Sequence, residues 1–379
     1  MSIAETLLDR SPVARFSRRT VAALGASIWR HRWLHAMAIG SLLLAIAVGA
    51  RTGNMPDIGV VRLFLGYLFS AFVLFACGLA VFRFLWLMLV ERHPAPLGTF
   101  FGIFPRFFAD TGRIANGING VVVIIVFSGA FGVLKGAIAI LAPFHWDPAL
   151  SHYDRLLAFG RAPFERLWWL VDSHLAAAAF NLAYNLWFFF LLGTVFTAAF
   201  AREDSALRHR FFGALMLIWT IGGFFIAVAF SSAGPCYYAR LGLGDAYQPL
   251  MDALASAARD YPIWALATQD ALWRGYLDPS SGSAGISAFP SMHVATAMLL
   301  ALYWQRRSVV AGWLFWGFAG TIFVGSIVLG WHYAVDGIGA ALIAIPCWKI
   351  SARLFGRFGA MQALSTRFAS INPPPVPAE

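Results

Sequence analysis

The chain has 379 residues, 60% of them hydrophobic and 12% charged. Soluble domains carry about a quarter charged residues, so this composition excludes a water-soluble fold and points to an integral membrane protein. The net charge of +10 would suit a nucleic-acid partner, but the basic residues lie between apolar runs, where they set membrane orientation and meet anionic lipid. No nucleic acid is expected.

Residues 1–32 form an arginine-studded stretch with Leu7, Leu8, Val13 and Phe16 among its apolar positions. It reads as a basic amphipathic tail on the cytoplasmic membrane surface. The first apolar run follows some thirty residues in, with no small-residue cleavage site close behind it, so it is expected to be a retained anchor. A spanning helix needs roughly twenty apolar residues. Eight stretches are read as spans: 33–50, 59–82, 119–141, 177–200, 211–231, 290–305, 309–329 and 333–352. The sixth is short. The second can run on through Val90 with Arg83 snorkelling, and Arg62 and Lys135 near the span ends are read the same way. The fold expected is all-α, a polytopic bundle of about eight transmembrane helices.

Between spans two and three, residues 83–118 carry Pro94, Pro96 and Pro105 and read as an interfacial helix and loop. Residues 33–142 thus hold the N-terminal helices and a cytoplasmic linker. Residues 143–176 mix Asp147, Asp154 and Arg155 with leucines and aromatics at helical spacing, too polar to span. They are expected as interfacial helices on the outer face, with Trp168 and Trp169 at headgroup depth. Residues 177–355 form the core. Its outer loop, 232–289, holds amphipathic stretches 245–259 and 262–276 and a Ser/Gly-rich run from Ser280 to Ser283. A long loop with its own structure is usually functional, and this one reads as a cap. Gly285 would let the chain turn closely into the next helix. Residues 356–379, with Pro373, Pro374, Pro375 and Pro377, are expected as a disordered cytoplasmic tail.

Eight spans leave both termini on one side, and nineteen of the 28 lysines and arginines fall on that side. The positive-inside rule makes it cytoplasmic, so the turns that carry His293 and His332 face outward. A bacterial inner membrane with a periplasmic site is the location expected.

The segments Phe289-Pro290-Ser291-Met292-His293 and Trp331-His332-Tyr333-Ala334-Val335-Asp336 flank a pair of apolar runs split by Arg306 and Arg307. If both runs cross, the chain returns and the two histidines share one membrane face. Asp336 follows His332 by one helical turn. Ionisable groups at the edge of apolar spans are candidate functional sites. Two imidazoles and a carboxylate supply a nucleophile, a group to orient it and an acid for a leaving group. Cys77, Cys236 and Cys347 make no disulfide or metal pattern, and no metal or cofactor is expected.

These two segments resemble the second and third signature motifs of the type 2 phosphatidic acid phosphatase superfamily, most closely its inositol phosphorylceramide synthase and sphingomyelin synthase branch. The resemblance implies that His332 attacks phosphorus and becomes phosphorylated, that Asp336 orients it and that His293 protonates the departing alkoxide. A weaker likeness extends from about Trp146 to Ile350, including the Asp154-Arg155-Leu156-Leu157 run. Two departures stand out. The phosphatases place Ser-Arg where this chain reads Gly325-Ser326, and their first motif, Lys-x6-Arg-Pro, is absent. The synthase branch also lacks that arginine, which favours transfer over hydrolysis.

Phosphate must then be held by other groups. Pro290, at an expected first helical turn, would leave the N–H groups of Ser291 and Met292 open to an anion, with the Ser291 hydroxyl as a further donor. Arg240 is the candidate guanidinium, and Tyr237 and Tyr238 are candidate lining residues. The substrate expected is a phospholipid or lipid phosphate, and the acceptor a lipid alcohol or, in a phosphatase, water. A transporter would place its charges at mid-membrane; here they gather at one surface.

Overall fold

The structure, a computed structural model, describes residues 12–55, 58–202, 205–278 and 285–371. Among them are helices and no strand. Among the described residues, seven helices are long and apolar enough to cross a membrane, and Met292–Trp304 is a shorter apolar one. Together they account for the eight stretches expected.

In chain order, α1 is Pro12–Thr52, α2 Ile58–Leu89, α3 Pro96–Phe101, α4 Ile103–Ala109 and α5 Thr111–Leu141. Two expectations change here. The stretch up to residue 32 is not a separate tail: α1 begins at Pro12 and continues unbroken through the first span. Ser27 and His31 are fully buried in it, and the Ser27 hydroxyl donates to Asn116 Oδ1 at 3.0 Å. Residues 1–11 lie outside the described residues. Arg62 is exposed, as a snorkelling residue should be. Lys135 is not, and belongs to the site described below.

After α5 come three short helices, α6 Asp147–Leu157, α7 Pro163–Arg166 and α8 Trp168–Val171, in the stretch expected to lie at an interface. Next are α9 (His174–Ala199) and α10 (Ser205–Leu217), which runs into a π-helical segment, Ile218–Ile226, and then α11 (Ala227–Ala229). The expected cap contains α12 (Gln248–Ala257) and α13 (Trp264–Leu277). The run Ser280 to Ser283 lies outside the described residues. Last are α14 (Met292–Trp304), α15 (Val309–Val328) and α16 (Ala334–Ile371). Because α16 reaches Ile371, residues 356–371 are helical where a disordered tail was expected; Pro373 to Pro377 lie outside the described residues.

Local chemistry fixes where the helices start. Ser173, Ser291 and Ser308 each accept a backbone N–H from three residues on, satisfying a donor that the first turn leaves open. Small residues fix how closely helices approach. A Cβ at Gly117 would lie 2.1 Å from the Phe200 ring, so α5 and α9 meet there without room for a methyl group.

The short helix α14 sits at the centre, packed by α9, α10, α15 and α16. It is roughly 20 Å long at 1.5 Å per residue, shorter than a ~30 Å hydrocarbon core. Ala295, Thr296, Ala297, Leu299, Leu300 and Ala301 are all buried. A helix packed on every side needs no lipid-facing length, so α14 can be shorter than its neighbours.

Candidate active site

His293 lies in the first turn of α14, and His332 in the turn between α15 and α16. Their ring centroids are 6.4 Å apart. The hairpin α14–α15 therefore brings both imidazoles to one end of the bundle. Nδ1 of His332 lies 3.2 Å from Oδ2 of Asp336, which also accepts the Tyr333 N–H at 3.0 Å. Asp336 is wholly buried behind the histidine. Its other oxygen has no hydrogen-bond partner among the described residues. With the carboxylate on Nδ1, the ring can hold its proton there and use its second nitrogen as the nucleophile; the Ala288 carbonyl also lies within reach of the ring. Burial, and then the charge of Lys135, pull the His332 pKa from its ordinary value down to about 3. A neutral ring is the nucleophilic form.

The His293 ring stacks on Tyr184 at 4.3 Å and rests against Trp187 at 4.4 Å. Trp187 Nε1 also donates to the His293 carbonyl at 3.0 Å. These contacts leave the imidazole few orientations. Both histidines line a cavity of about 430 Å³, with Trp219 and Met292 on one wall and Ala265, Thr268 and Leu272 of α13 on another. The π-helical segment shapes the first wall: Gly222 and Gly223 admit Met292, and a Cβ at Gly223 would come within 3.0 Å of its sulfur. Such segments recur at functional sites because they displace side chains from the regular helical register.

Not every expected residue joins this cavity. Arg240 does not: its guanidinium pairs with Asp270 and lines a separate cavity of about 200 Å³ with Pro235, Cys236, Tyr247 and Met251. Nor does Ser291. Its hydroxyl accepts the Val294 N–H, as a helix cap, and its own N–H donates to the Asp336 carbonyl at 3.1 Å. Pro290 precedes that cap instead of opening the first turn, so the anion site expected from free N–H groups is not formed by Ser291. Met292 lines the cavity through its side chain. Tyr237 lines it too, with its hydroxyl donating to the Gln269 carbonyl, whereas Tyr238 packs edge-on to Tyr247. Ser326, where the phosphatases carry arginine, is buried and turns its hydroxyl to the Phe323 carbonyl at 2.7 Å.

Two features were not foreseen. The first is Lys135, which enters the same cavity from α5. Its Nζ donates to the Ser287 carbonyl at 3.3 Å. A Cβ on Gly285 would lie 2.5 Å from Lys135 Cγ, so this glycine makes room for the lysine stem as well as for the chain's turn.

The second is the inner face of α6. Asp147 accepts the Ala233 and Gly234 N–H groups at 2.9 and 2.8 Å and the Tyr333 hydroxyl at 2.9 Å. Asp154 accepts the Ala334 and Val335 N–H groups at 2.9 and 2.8 Å, directly after His332 and Tyr333. Between them, Ser151 accepts from the Tyr247 hydroxyl. Burial pushes the Asp147 carboxyl above its ordinary range and Asp154 to about 7, against the pull of those backbone donors. The spacing carried a signal: 147, 151 and 154 share one helical face, while Tyr153, Leu156 and Leu157 point outward and are exposed. A helix with polar residues turned to the protein and leucines to lipid is inside-out by soluble standards.

A helical bundle with seven helices able to span a bilayer and a histidine-lined cavity at one end is consistent with a multi-pass integral membrane protein. The model of the PAP2 superfamily matches residues 148–350, more than half of the chain, and the protein belongs to that superfamily. Its members are typically phosphatases or phosphotransferases. The match does not select a branch within it, and Lys135 lies outside the matched range. Searches of curated proteins and of solved structures return no match to this chain.

Proposed function

We propose that the protein is a lipid phosphotransferase that moves a phosphoryl-headgroup from a phospholipid to a lipid alcohol, in the manner of the inositol phosphorylceramide synthases. The observation that supports this best is the pair of imidazoles 6.4 Å apart, one of them backed by a buried carboxylate, in one cavity. His332 attacks phosphorus with its second ring nitrogen. The bond from phosphorus to the diacylglycerol oxygen breaks, and that oxygen takes a proton from His293. In the second half, the acceptor hydroxyl gives its proton to His293 as its oxygen attacks the phosphohistidine, and His332 is freed. Asp336 stabilises the positive charge that grows on the His332 ring.

Transfer is favoured over hydrolysis by the buried serine at the position of the phosphatase arginine. The charge distribution supports cytoplasmic termini and a site on the opposite, periplasmic face. Reconstituted protein should be offered fluorescent phospholipids with and without ceramide or diacylglycerol. A new phosphorylated lipid that depends on the acceptor is the expected product. Free phosphate or free headgroup phosphate without such a lipid would make the protein a hydrolase instead.

A further inference from the structure

The cavity can be read by its charges. Among the described residues that line it, Lys135 is the one lysine or arginine and there is no carboxylate. Residues 279–284, which precede Gly285, contain no ionisable side chain. The Lys135 ammonium has three donors and gives one to the Ser287 carbonyl, which leaves two for a ligand. It is close enough to act electrostatically on the His332 ring. Gly285 keeps its stem in place.

We propose that Lys135 holds the phosphate of the bound lipid and that, as the one lysine or arginine among the described residues lining the cavity, it selects phosphodiester lipids over phosphomonoesters. This rests on the phosphotransferase reading, in which His293 carries a proton before it acts as acid. The site then holds a positive Lys135, a positive His293 and a negative Asp336, a net charge of plus one. A phosphodiester carries a single negative charge and closes that count to zero. A phosphomonoester carries about −1.5 to −2 at neutral pH and leaves negative charge buried without a partner, the arrangement that low-dielectric sites tolerate least. A second cation, such as the arginine of the phosphatases, would accept the dianion; this cavity has none among its described residues.

The test is binding, measured on the full-length His332→Ala protein in detergent so that no turnover interferes. Trp187, Trp219 and Trp331 line the cavity, so intrinsic fluorescence reports its occupancy. The probes are dioctanoyl phosphatidylglycerol, phosphatidylinositol, phosphatidylethanolamine and phosphatidylcholine, each compared with dioctanoyl phosphatidate at pH 7.5. The best of the four diesters should bind at least about tenfold more tightly than phosphatidate. Adding Lys135→Met should weaken that diester about tenfold or more, and Lys135→Arg should restore most of the loss. Phosphatidate binding as tightly as the best diester, no diester binding at all, or Lys135→Met binding like its parent would each overturn the proposal. Failure of the phosphotransferase reading is scored separately, by whether the wild-type protein forms an acceptor-dependent product and His332→Ala does not.

Discussion

At the residue scale the site depends on one hydrogen bond, from His332 Nδ1 to Asp336 Oδ2. Asp336→Asn keeps the size of the side chain but can present its amide to the ring and reverse the tautomer. A loss of about 10³–10⁴ in kcat is expected, with an unchanged far-ultraviolet circular dichroism spectrum. The His332 ring stays neutral down to about pH 3, so its protonation should set no limb of the pH profile near neutrality. Asp154 should. Its carboxyl is pushed up to about 7, and only the ionised form offers both oxygens fully to the Ala334 and Val335 N–H groups. Activity should therefore rise with pH through about 7 as Asp154 ionises and the turn after His332 is clamped. Asp154→Asn should remove that limb and lower kcat about tenfold, since an unmet buried N–H costs about 1–3 kcal/mol. A profile of Asp154→Asn superimposable on that of wild type would assign the limb elsewhere.

At the scale of elements, α6 and α13 act as braces. The first ties the Ala233-Gly234 turn and the start of α16 to one helical face. The second is clipped to α9 through Asn181, which donates to the Pro262 carbonyl at 3.0 Å and accepts the Ala265 N–H at 3.1 Å. Asn181→Ala removes both bonds at a residue that itself lines the cavity but is neither a histidine nor the carboxylate of the reacting set. It is expected to raise KM for the lipid donor about three- to tenfold with a smaller effect on kcat, as measured from initial rates in mixed micelles. Gly234 is doubly constrained: its φ is 105°, and a Cβ there would lie 2.6 Å from the Trp331 carbonyl. Gly234→Ala should move the Trp331-His332 backbone and lower both thermal stability and kcat.

For the whole molecule, the proposed orientation puts the α6–α7 turn and the α14–α15 turn on opposite faces of the membrane. Phe159 in the first is 89% exposed, and Arg306 in the second is exposed as well. In a background with Cys77 replaced by Ser, a membrane-impermeant maleimide applied to intact cells should label Phe159→Cys and leave Arg306→Cys unmodified until the membrane is opened. The reverse pattern would invert the orientation drawn from the charge distribution.

What the chain determined by itself was whatever depends on local composition and period. Apolar length gave the eight helices, and the return of a two-helix hairpin gave the meeting of His293, His332 and Asp336. Those relations hold over one turn or one hairpin, so spacing alone expresses them. Tertiary structure decided which cation enters the cavity. By sequence Arg240 is the cation expected and Lys135 reads as snorkelling, but Asp270 engages the first, and Gly285, 150 residues away in sequence, makes room for the second. It also decided that Asp147 and Asp154 turn inward, because their partners are backbone N–H groups, which every residue but proline carries and which no sequence pattern marks.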